Sequence, residues 1–463
     1  MSESGGVSGG RELPAGWAWA RLGDLANYVN GRGFKKAEWS TEGRPIIRIQ
    51  NLTGSGASFN YFADDLEARH VVQRGDLLLS WAATLGVYVW KGPEAALNQH
   101  IFKVDPFVDP SFMRYLLEFK LLEIKGRTQG SGMVHVTRGE FEDVRAAIPP
   151  LAEQPRIVEA LEEQLSRIDS GTATLRQARR RLEGLRKRTL VSTVPDEVPS
   201  SWRMTTVEAA GTLDLGRARH PDWHNGPEMR PYLRVANVFE DRIDTTDIME
   251  MDFSGIWERY RLEPGDVLLN EGQSPHLVGR PALYRGIPEN VAFTNSLLRF
   301  KVAADVLPEW ALLVFRRHLH AKRFMREVRI TTNIAHLSAK RLKKVEFPVP
   351  PLEVQKQLVQ RCDELLTGIA AMDQQVETGL RRGKALRAAL LRQAFTGGLV
   401  SQDPAEEPAA VLLDRIAAER ASTAKPKRER KATTKAPSQR AADVAAPEPT
   451  SAPALAVQQE FEL

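Results

Sequence analysis

Pro149-Pro150-Leu151-Ala152-Glu153-Gln154 is followed 201 positions later by Pro350-Pro351-Leu352-Glu353-Val354-Gln355. The same offset holds without a gap through Leu185-Arg186 and Leu386-Arg387. Pro14-Ala15-Gly16-Trp17 and Pro199-Ser200-Ser201-Trp202 open the two halves at an offset of 185, so the second half carries about 16 extra residues ahead of its Pro-Pro-Leu and none behind it. A chain of 463 residues exceeds one hydrophobic core, and the duplication supplies the places to cut it.

Ahead of each Pro-Pro-Leu the sequence has mixed strand and loop character. Pro45 to Asn51 and Pro231 to Asn237 read as short β runs with a polar end. Gly75-Asp76 and Gly265-Asp266 are turns feeding apolar strands, and Leu97 to Val104 answers to Thr294 to Val302. Behind each Pro-Pro-Leu the period changes to about three and a half. Leu161, Ile168, Leu175, Leu182 and Thr189 fall seven apart, with Val158, Leu165 and Thr172 interleaved. The second copy has Cys362, Ile369, Val376, Gly383 and Leu390, with Val359, Leu366, Asp373 and Leu380. This is a heptad seam in both copies, the mark of paired helices of roughly 40 residues, or about 60 Å each. Gly171, Gly368, Gly379 and Gly383 each cost about 1 kcal/mol in a helix interior and are candidate kinks. Pro195 and Pro199 close the first helix and Gly397-Gly398 the second. A short apolar-periodic stretch from Ala409 to Ala421 precedes an Ala/Pro/Lys-rich tail that cannot bury enough surface to fold.

Composition narrows the chemistry. Hydrophobic content of 42% with 27% charged residues is that of a globular protein, and no apolar run reaches the length of a membrane span. The Gly/Ser-rich start lacks the apolar core of a signal peptide, and the single Cys362 excludes an internal disulfide, which together fit a cytoplasmic protein. The net charge of +5 favours a polyanionic partner. Motifs of an amino-methyltransferase, a methyl-donor loop and a phosphate-cradling loop are missing. Glu123-Ile124-Lys125 lacks the spaced aspartate of a nuclease and follows an expected helix from Phe112 to Leu122. Pro221 separates His220 from His224 and no third metal ligand follows. His318 and His320 are placed on a basic helix with Arg316, Arg317, Lys322 and Arg323.

Non-catalytic nucleic-acid chemistry remains. Arg32, Lys35 and Lys36 beside Gly31 and Gly33, and Arg217 and Arg219 after Gly216, form basic loops suited to phosphates. Side chains able to read base edges recur in groups: Arg48, Gln50 and Asn51; Asn98, Gln99 and His100; Thr128, Gln129 and Ser131; then Arg234 and Asn237, Asn270 and Gln273, and Thr331, Thr332 and Asn333. For each of them, a turn cap or a solvated loop residue is the competing reading.

Two globular units, each opening Pro-x-x-Trp and closing Pro-Pro-Leu-x-x-Gln into a long heptad helix, resemble the DNA-specificity subunit of type I restriction–modification systems over roughly Pro14 to Leu399. The resemblance implies an α+β chain: two mixed α/β target-recognition domains joined by two long antiparallel coiled-coil spacer helices, with a pseudo-two-fold internal repeat. The expected divisions are a flexible start at 1–13, recognition domains at 14–150 and 195–350, spacer helices at 151–194 and 351–397, and a C-terminal extension with a basic tail at 398–463. The expected seam is Leu161, Leu165, Ile168, Thr172, Leu175 and Leu182 against Leu366, Ile369, Asp373, Val376, Leu380 and Leu390. Thr172 and Asp373 lie near their helix midpoints, so an antiparallel pair should bring them face to face as a polar register mark. The family reads a bipartite asymmetric double-stranded DNA site and is not itself an enzyme. Two modification subunits methylate adenine N6 with S-adenosylmethionine, and motor-nuclease subunits use ATP and magnesium. This implies a bacterial or archaeal cytoplasmic subunit with no cofactor or metal of its own. Two alternatives stay open on the residues alone, a coiled-coil adaptor without sequence recognition and a degenerate DNA methyltransferase.

Overall fold

The computed structural model describes residues 12–56, 58–81, 84–127, 138–195, 197–331 and 334–423. Among them no helix is long and apolar enough to cross a membrane. Two mixed α/β units flank a pair of long antiparallel helices, Glu153–Thr193 and Leu352–Ala394. Both run unbroken through the glycines expected to kink them.

Each unit is built from the same parts. In the first, strands Ala26–Asn30, Ile101–Pro106, Leu77–Ser80 and Gly86–Val89 form an antiparallel sheet, and a second sheet pairs Arg44–Ile47 in parallel with Ala95–Leu97. In the second, Gly211–Leu215, Leu297–Val302, Val267–Asn270 and Pro281–Leu283 repeat the antiparallel sheet, and Met229–Leu233 runs parallel to Ala292–Phe293. The Gly-Asp turns feed the fully buried strands Leu77–Ser80 and Val267–Asn270. Arg48 to Asn51, expected as the polar end of a strand, begins a helical turn over Ile49–Thr53 instead, because Asn51 Oδ1 accepts the Arg48 N–H at 3.1 Å and closes the turn. Arg234 to Asn237 does the same at 3.0 Å.

The repeated landmarks meet in space. Strand Ala18–Arg21 pairs with Arg145–Ile148, and Arg203–Thr206 with Glu346–Val349, so the first and last segments of each unit close on each other next to its spacer helix. Trp17 Nε1 donates to Glu153 at 3.1 Å. Gln154 and Gln355 are fully buried at the helix starts. Gln355 accepts from Leu307 N at 2.8 Å and donates to Pro350 O and Asp305 O, while Gln154 makes the matching bonds to Asp109 N and Pro149 O. A buried amide with both ends satisfied holds each helix to its own unit, which explains why Pro-Pro-Leu-x-x-Gln is written twice.

Each unit also grips the far end of the other unit's helix. The first core contains Ile157, Leu161 and Leu165 together with Leu390, Leu391 and Phe395, whose ring stacks on Phe119 at 5.3 Å. The second contains Cys362 with Leu190 and Val194. Arg387 reaches from the second spacer helix to Glu118 at 2.6 Å and Asp169 at 3.1 Å. Its counterpart Arg186 meets Glu240 at 3.5 Å, which also binds Arg316 and His320. Burial alone would raise the Glu240 carboxyl, but His320, Arg316 and Arg186 hold it down at about 2. A last helix, Ala409–Thr423, covers the first unit through Ala409, Leu412 and Ile416.

The spacer register differs from the expected one. A Cβ on Gly383 would meet Thr172 Cγ2 at 2.6 Å, and one on Gly379 would meet Leu175 Cδ1 at 2.9 Å. Arg179 meets Glu377 at 3.4 Å and Asp373 at 3.9 Å. Facing positions therefore sum to about 555, and combining this with the 201-residue repeat places the pseudo-two-fold axis beside Gln177 and Thr378. Thr172 faces Gly383, and Asp373 lies about ten residues, or roughly 15 Å, further along. The expected Thr172 to Asp373 contact is thus corrected. Glycine at 379 and 383 lets the backbones approach closely in this register, and Asp373 is occupied by an arginine. The seam is asymmetric in burial: on the first helix Leu161 and Leu165 are buried and Ile168, Thr172, Leu175 and Leu182 half-buried, while on the second Ile369, Val376 and Leu390 are buried and Leu366, Asp373 and Leu380 half-buried.

Candidate nucleic-acid interface

Strand direction gathers the candidate residues of each unit at one rim. In the first unit the parallel pair Ile46↔Ala96 and Ile47↔Leu97 delivers Arg48 and Asn98 to the same end. Arg32 bridges to Asn98, and Ser80↔Ile101 brings Trp81 beside His100, ring centroids 5.6 Å apart. The second unit repeats this plan. Tyr232↔Ala292 and Leu233↔Phe293 deliver Arg234 and Thr294 together, Arg217 bridges to Thr294, and Glu271 N donates to Ser296 O at 2.9 Å. Val235 N donates to Ser296 Oγ at 3.1 Å, tying the Arg234 turn to the same loop.

The basic loops are prepared differently in the two units. Arg32 lies between Phe34 and Phe62, 4.9 Å from each ring, and is ion-paired with Glu38. The Lys35 backbone N–H bond and the Arg32 charge hold the Glu38 carboxyl below its ordinary value. Arg217 lies over Trp223 at 4.1 Å and near Phe253 at 5.2 Å, with its Nη1 buried and without a hydrogen-bond partner among the described residues. Stacking of this kind desolvates a guanidinium and leaves its donors available to an acceptor. Lys35, Lys36 and Arg219 are exposed, as phosphate contacts require.

Several candidates serve the scaffold instead. Asn51 donates to Gly56 O and Ser58 O at 3.2 and 3.0 Å, besides accepting from Arg48, so its amide is spent within its loop. Asn237 is buried and donates to Asp244 O and Asp247 O at 3.0 and 2.9 Å. Asn270 is fully buried and directed at Val238 O. These three are corrected from base-reading candidates to loop and strand anchors, because the Asn237 and Asn270 amides are buried and the half-buried Asn51 amide is already bonded within its loop. Arg48 donates to Ser58 O at 3.2 Å and packs over Trp39, and Arg234 is ion-paired with Asp247. Gln50, Gln99 and His100 are exposed at the rim, Asn98 accepts from Gln99 N at 2.8 Å, and Gln273 accepts from Ser274 N at 3.1 Å. Thr128, Gln129, Ser131, Thr332 and Asn333 lie outside the described residues, and Thr331 is placed only by its backbone in strand Arg329–Thr331.

The sequence reading missed Trp81 and Glu271, which stand at equivalent places one residue beyond the buried strands Leu77–Ser80 and Val267–Asn270. It also missed the hairpin that carries Thr331. Strands Arg329–Thr331 and Ile334–His336 pair with each other, and the second pairs with Gly272–Gln273 on the rim. The 3.5-residue period dominates the sequence signal, and a three-residue strand offers no period to read.

The other chemistry weighed on the sequence is placed as follows. Glu123 and Lys125 lie inside helix Pro110–Arg127, which runs past the expected end at Leu122. Glu123 pairs with Lys120 and Lys125 donates to Leu85 O. His220 accepts from Asp222 N across a short helical turn, Pro221–His224. Helix Pro308–His320 stops before Lys322 and Arg323, and His318 is buried, its Nε2 donating to Glu346 O at 3.0 Å. Burial lowers the His318 pKa. Among the described residues no cluster of three His, Cys, Asp or Glu could hold a metal ion.

Comparisons with known proteins agree with this geometry. The type I restriction modification DNA specificity domain matches residues 14–179 and 226–378. The specificity subunits of the type I restriction enzymes EcoBI, from Escherichia coli, and EcoKI, from E. coli strain K12, are 25% and 24% identical. The alignments cover 91% and 90% of this chain and 96% and 98% of theirs. An archaeal relative, the MjaVIII specificity subunit of Methanocaldococcus jannaschii, is 21% identical over 76% of this chain and 86% of its own. A solved chain from work on complex assembly and conformational transition of the type I R-M system superposes with a TM-score of 0.62 at 19% identity, covering 84% of this chain and 100% of that one.

Proposed function

Because the chain belongs to the type I restriction–modification DNA specificity family, we propose that each rim reads one half of a split, asymmetric double-stranded DNA site. The observation that carries this is the repeated rim on an antiparallel spacer. A pseudo-two-fold axis beside Gln177 and Thr378 inverts one unit relative to the other, so the pair can meet the two strands of one duplex as dimeric readers do. The rims differ in their residues, so the half-sites differ.

The chain supplies recognition, and the chemistry belongs to its partners. Two modification subunits bind along the spacer and methylate adenine N6 with S-adenosylmethionine, and motor-nuclease subunits using ATP and magnesium complete the assembly. The place of action is the cytoplasm of a bacterium or archaeon. The recognition units correspond to 14–150 and 195–350, with the extension from 398 outside both. Exchanging residues 199 to 350 for the corresponding unit of a relative, then mapping methylated adenines in a host genome, tests the reading. Half of the methylated motif should change and the other half remain. A swap that alters both halves, or none, refutes it. The degenerate-methyltransferase alternative requires methyl transfer to DNA by the purified chain alone, and the adaptor alternative requires that no motif be enriched from random duplexes.

A further inference from the structure

The hairpin Arg329–Thr331 and Ile334–His336 stands out in both charge and exposure. Residues 322 to 344 hold eight Lys and Arg against one Glu, a local balance of +7 in a chain whose whole net charge is +5. The matching stretch of the first unit, 121 to 143 at the 201-residue offset, holds three Lys and Arg against four Asp and Glu. Some of these cations are spent: Arg323 binds Glu346 and Glu327, and Lys343 binds Glu208. Lys322 and Arg326 on one side of the hairpin, and Lys340 and Lys344 on the other, are exposed.

Ala335 anchors the hairpin in the second core, and the hairpin residues around it, Arg329, Ile330, Ile334 and His336, are uncovered. Ile330 is 57% exposed and Ile334 49% exposed, on opposite faces, since Ile330 is paired with Ala335 and Ile334 with Thr331. Cross-strand pairing puts Arg329 directly opposite His336, on the face that also bears Ile334. That face is held in place from the rim. Glu271 Oε2 meets His336 Nδ1 at 3.2 Å, and the His336 ring lies over Gly272, where an added Cβ would be 3.1 Å away. Arg329 is exposed and has no ion pair among the described residues.

We propose that this hairpin is the base-reading element of the second recognition unit, entering the major groove with Arg329, Ile334 and His336 toward the base edges. The cations at its foot then lie against phosphates. The fit is one of size and charge: the three-residue strands are about 10 Å long, with Arg329–Thr331 at the edge and Ile334–His336 backed by Gly272–Gln273, and the major groove is about 12 Å wide and 8.5 Å deep. Arg329 has the fork that matches guanine O6 and N7, and the Ile334 side chain is apolar enough to lie on a thymine methyl. The first unit lacks this basic segment, so the second unit supplies most of the salt-dependent attraction.

This inference rests on the proposed reading of a split DNA site, and the experiment separates the two. The full chain, assembled with its modification subunits, is used to select duplexes from a library randomised across both half-sites. If the unaltered protein enriches no bipartite motif, the functional reading fails irrespective of the hairpin. Given a motif, Arg329→Lys keeps the charge and removes the fork. Discrimination at one G·C pair should fall roughly tenfold or more, only in the half-site that changes when residues 199 to 350 are exchanged, with the salt slope unaltered. Ile334→Ala should relax one A·T position of the same half-site. Retention of the full motif by Arg329→Lys, or a loss confined to the other half-site, overturns the proposal. A readout on the unaltered protein guards against a misfolded variant. Guanines premethylated at N7 in the second half-site should block binding, and binding indifferent to them overturns the assignment of Arg329.

Discussion

Replacing Gly383 with alanine tests the spacer register directly. In an unconstrained helix interior, glycine to alanine stabilises by about 1 kcal/mol. Gly368 and Gly171 meet that condition, since a Cβ at either would find nothing within 4 Å, and Gly368→Ala should show the full gain. At Gly383 the new Cβ would come 2.6 Å from Thr172 Cγ2, about 1 Å inside an ordinary carbon contact. Thr172 cannot easily yield. It is β-branched, and its Oγ1 is bonded to Asp169 O at 3.0 Å. Overpacking of this kind costs about 1–3 kcal/mol, so Gly383→Ala should be neutral to about 2 kcal/mol destabilising. The two alanine variants should therefore differ by about 1–3 kcal/mol in denaturant titrations of the full chain. Thr172→Ser removes the methyl and keeps the hydroxyl, and in combination with Gly383→Ala it should restore the gain, giving a coupling of about 1 kcal/mol or more. Equal stabilisation by Gly383→Ala and Gly368→Ala would refute the register in which 383 faces 172.

Replacing Lys35 and Lys36 together with glutamine should weaken binding to every duplex alike and shallow the salt dependence by a slope of about two, measured by titration at several salt concentrations; a loss confined to one sequence would contradict their role as phosphate contacts. The Glu240 carboxyl is held at about 2 against an ordinary 4.5, so its contribution of about 3 kcal/mol is fully present above pH 4.5 and is lost as pH falls toward 2. Denaturation midpoints between pH 6 and 2.5 should show this loss, and Glu240→Gln, less stable at neutral pH, should flatten that limb. Asn237→Ala should destabilise the second unit by about 1–3 kcal/mol while leaving the selected DNA motif unchanged, since its amide is spent on Asp244 O and Asp247 O; a changed motif at unchanged stability would return it to the base-reading set.

The scaffold was legible in the sequence because it is written twice. Gln154 and Gln355 do the same buried work at the same offset, and any residue pair that survives duplication while its surroundings diverge stands out. The heptads were legible for a related reason: a period sustained over some forty residues accumulates signal. The rim was only partly so. Asn51 and Asn237 had the composition of base readers, yet an Asn three residues after an Arg also closes a helical turn, and composition cannot separate a spent amide from a free one.

The register shows where one-dimensional reasoning stops. Placing Thr172 opposite Asp373 assumed that two antiparallel helices meet at their midpoints, but a pseudo-two-fold axis requires only that facing positions have a constant sum. Which sum is realised depends on what packs at the ends, and there each unit grips the other unit's helix: Leu390, Leu391 and Phe395 lie in the first core, Leu190 and Val194 in the second. These end contacts bury far more apolar surface than the half-solvated middle of the first helix, so they decide the sum, and the small residues Gly379 and Gly383 let the middle comply. Spacing between the two recognition rims is therefore fixed chiefly at the helix ends. A seam substitution near Gln177 should alter stability without moving the half-sites, whereas one that shifts Leu390 or Leu190 in its core should change the length of DNA between them.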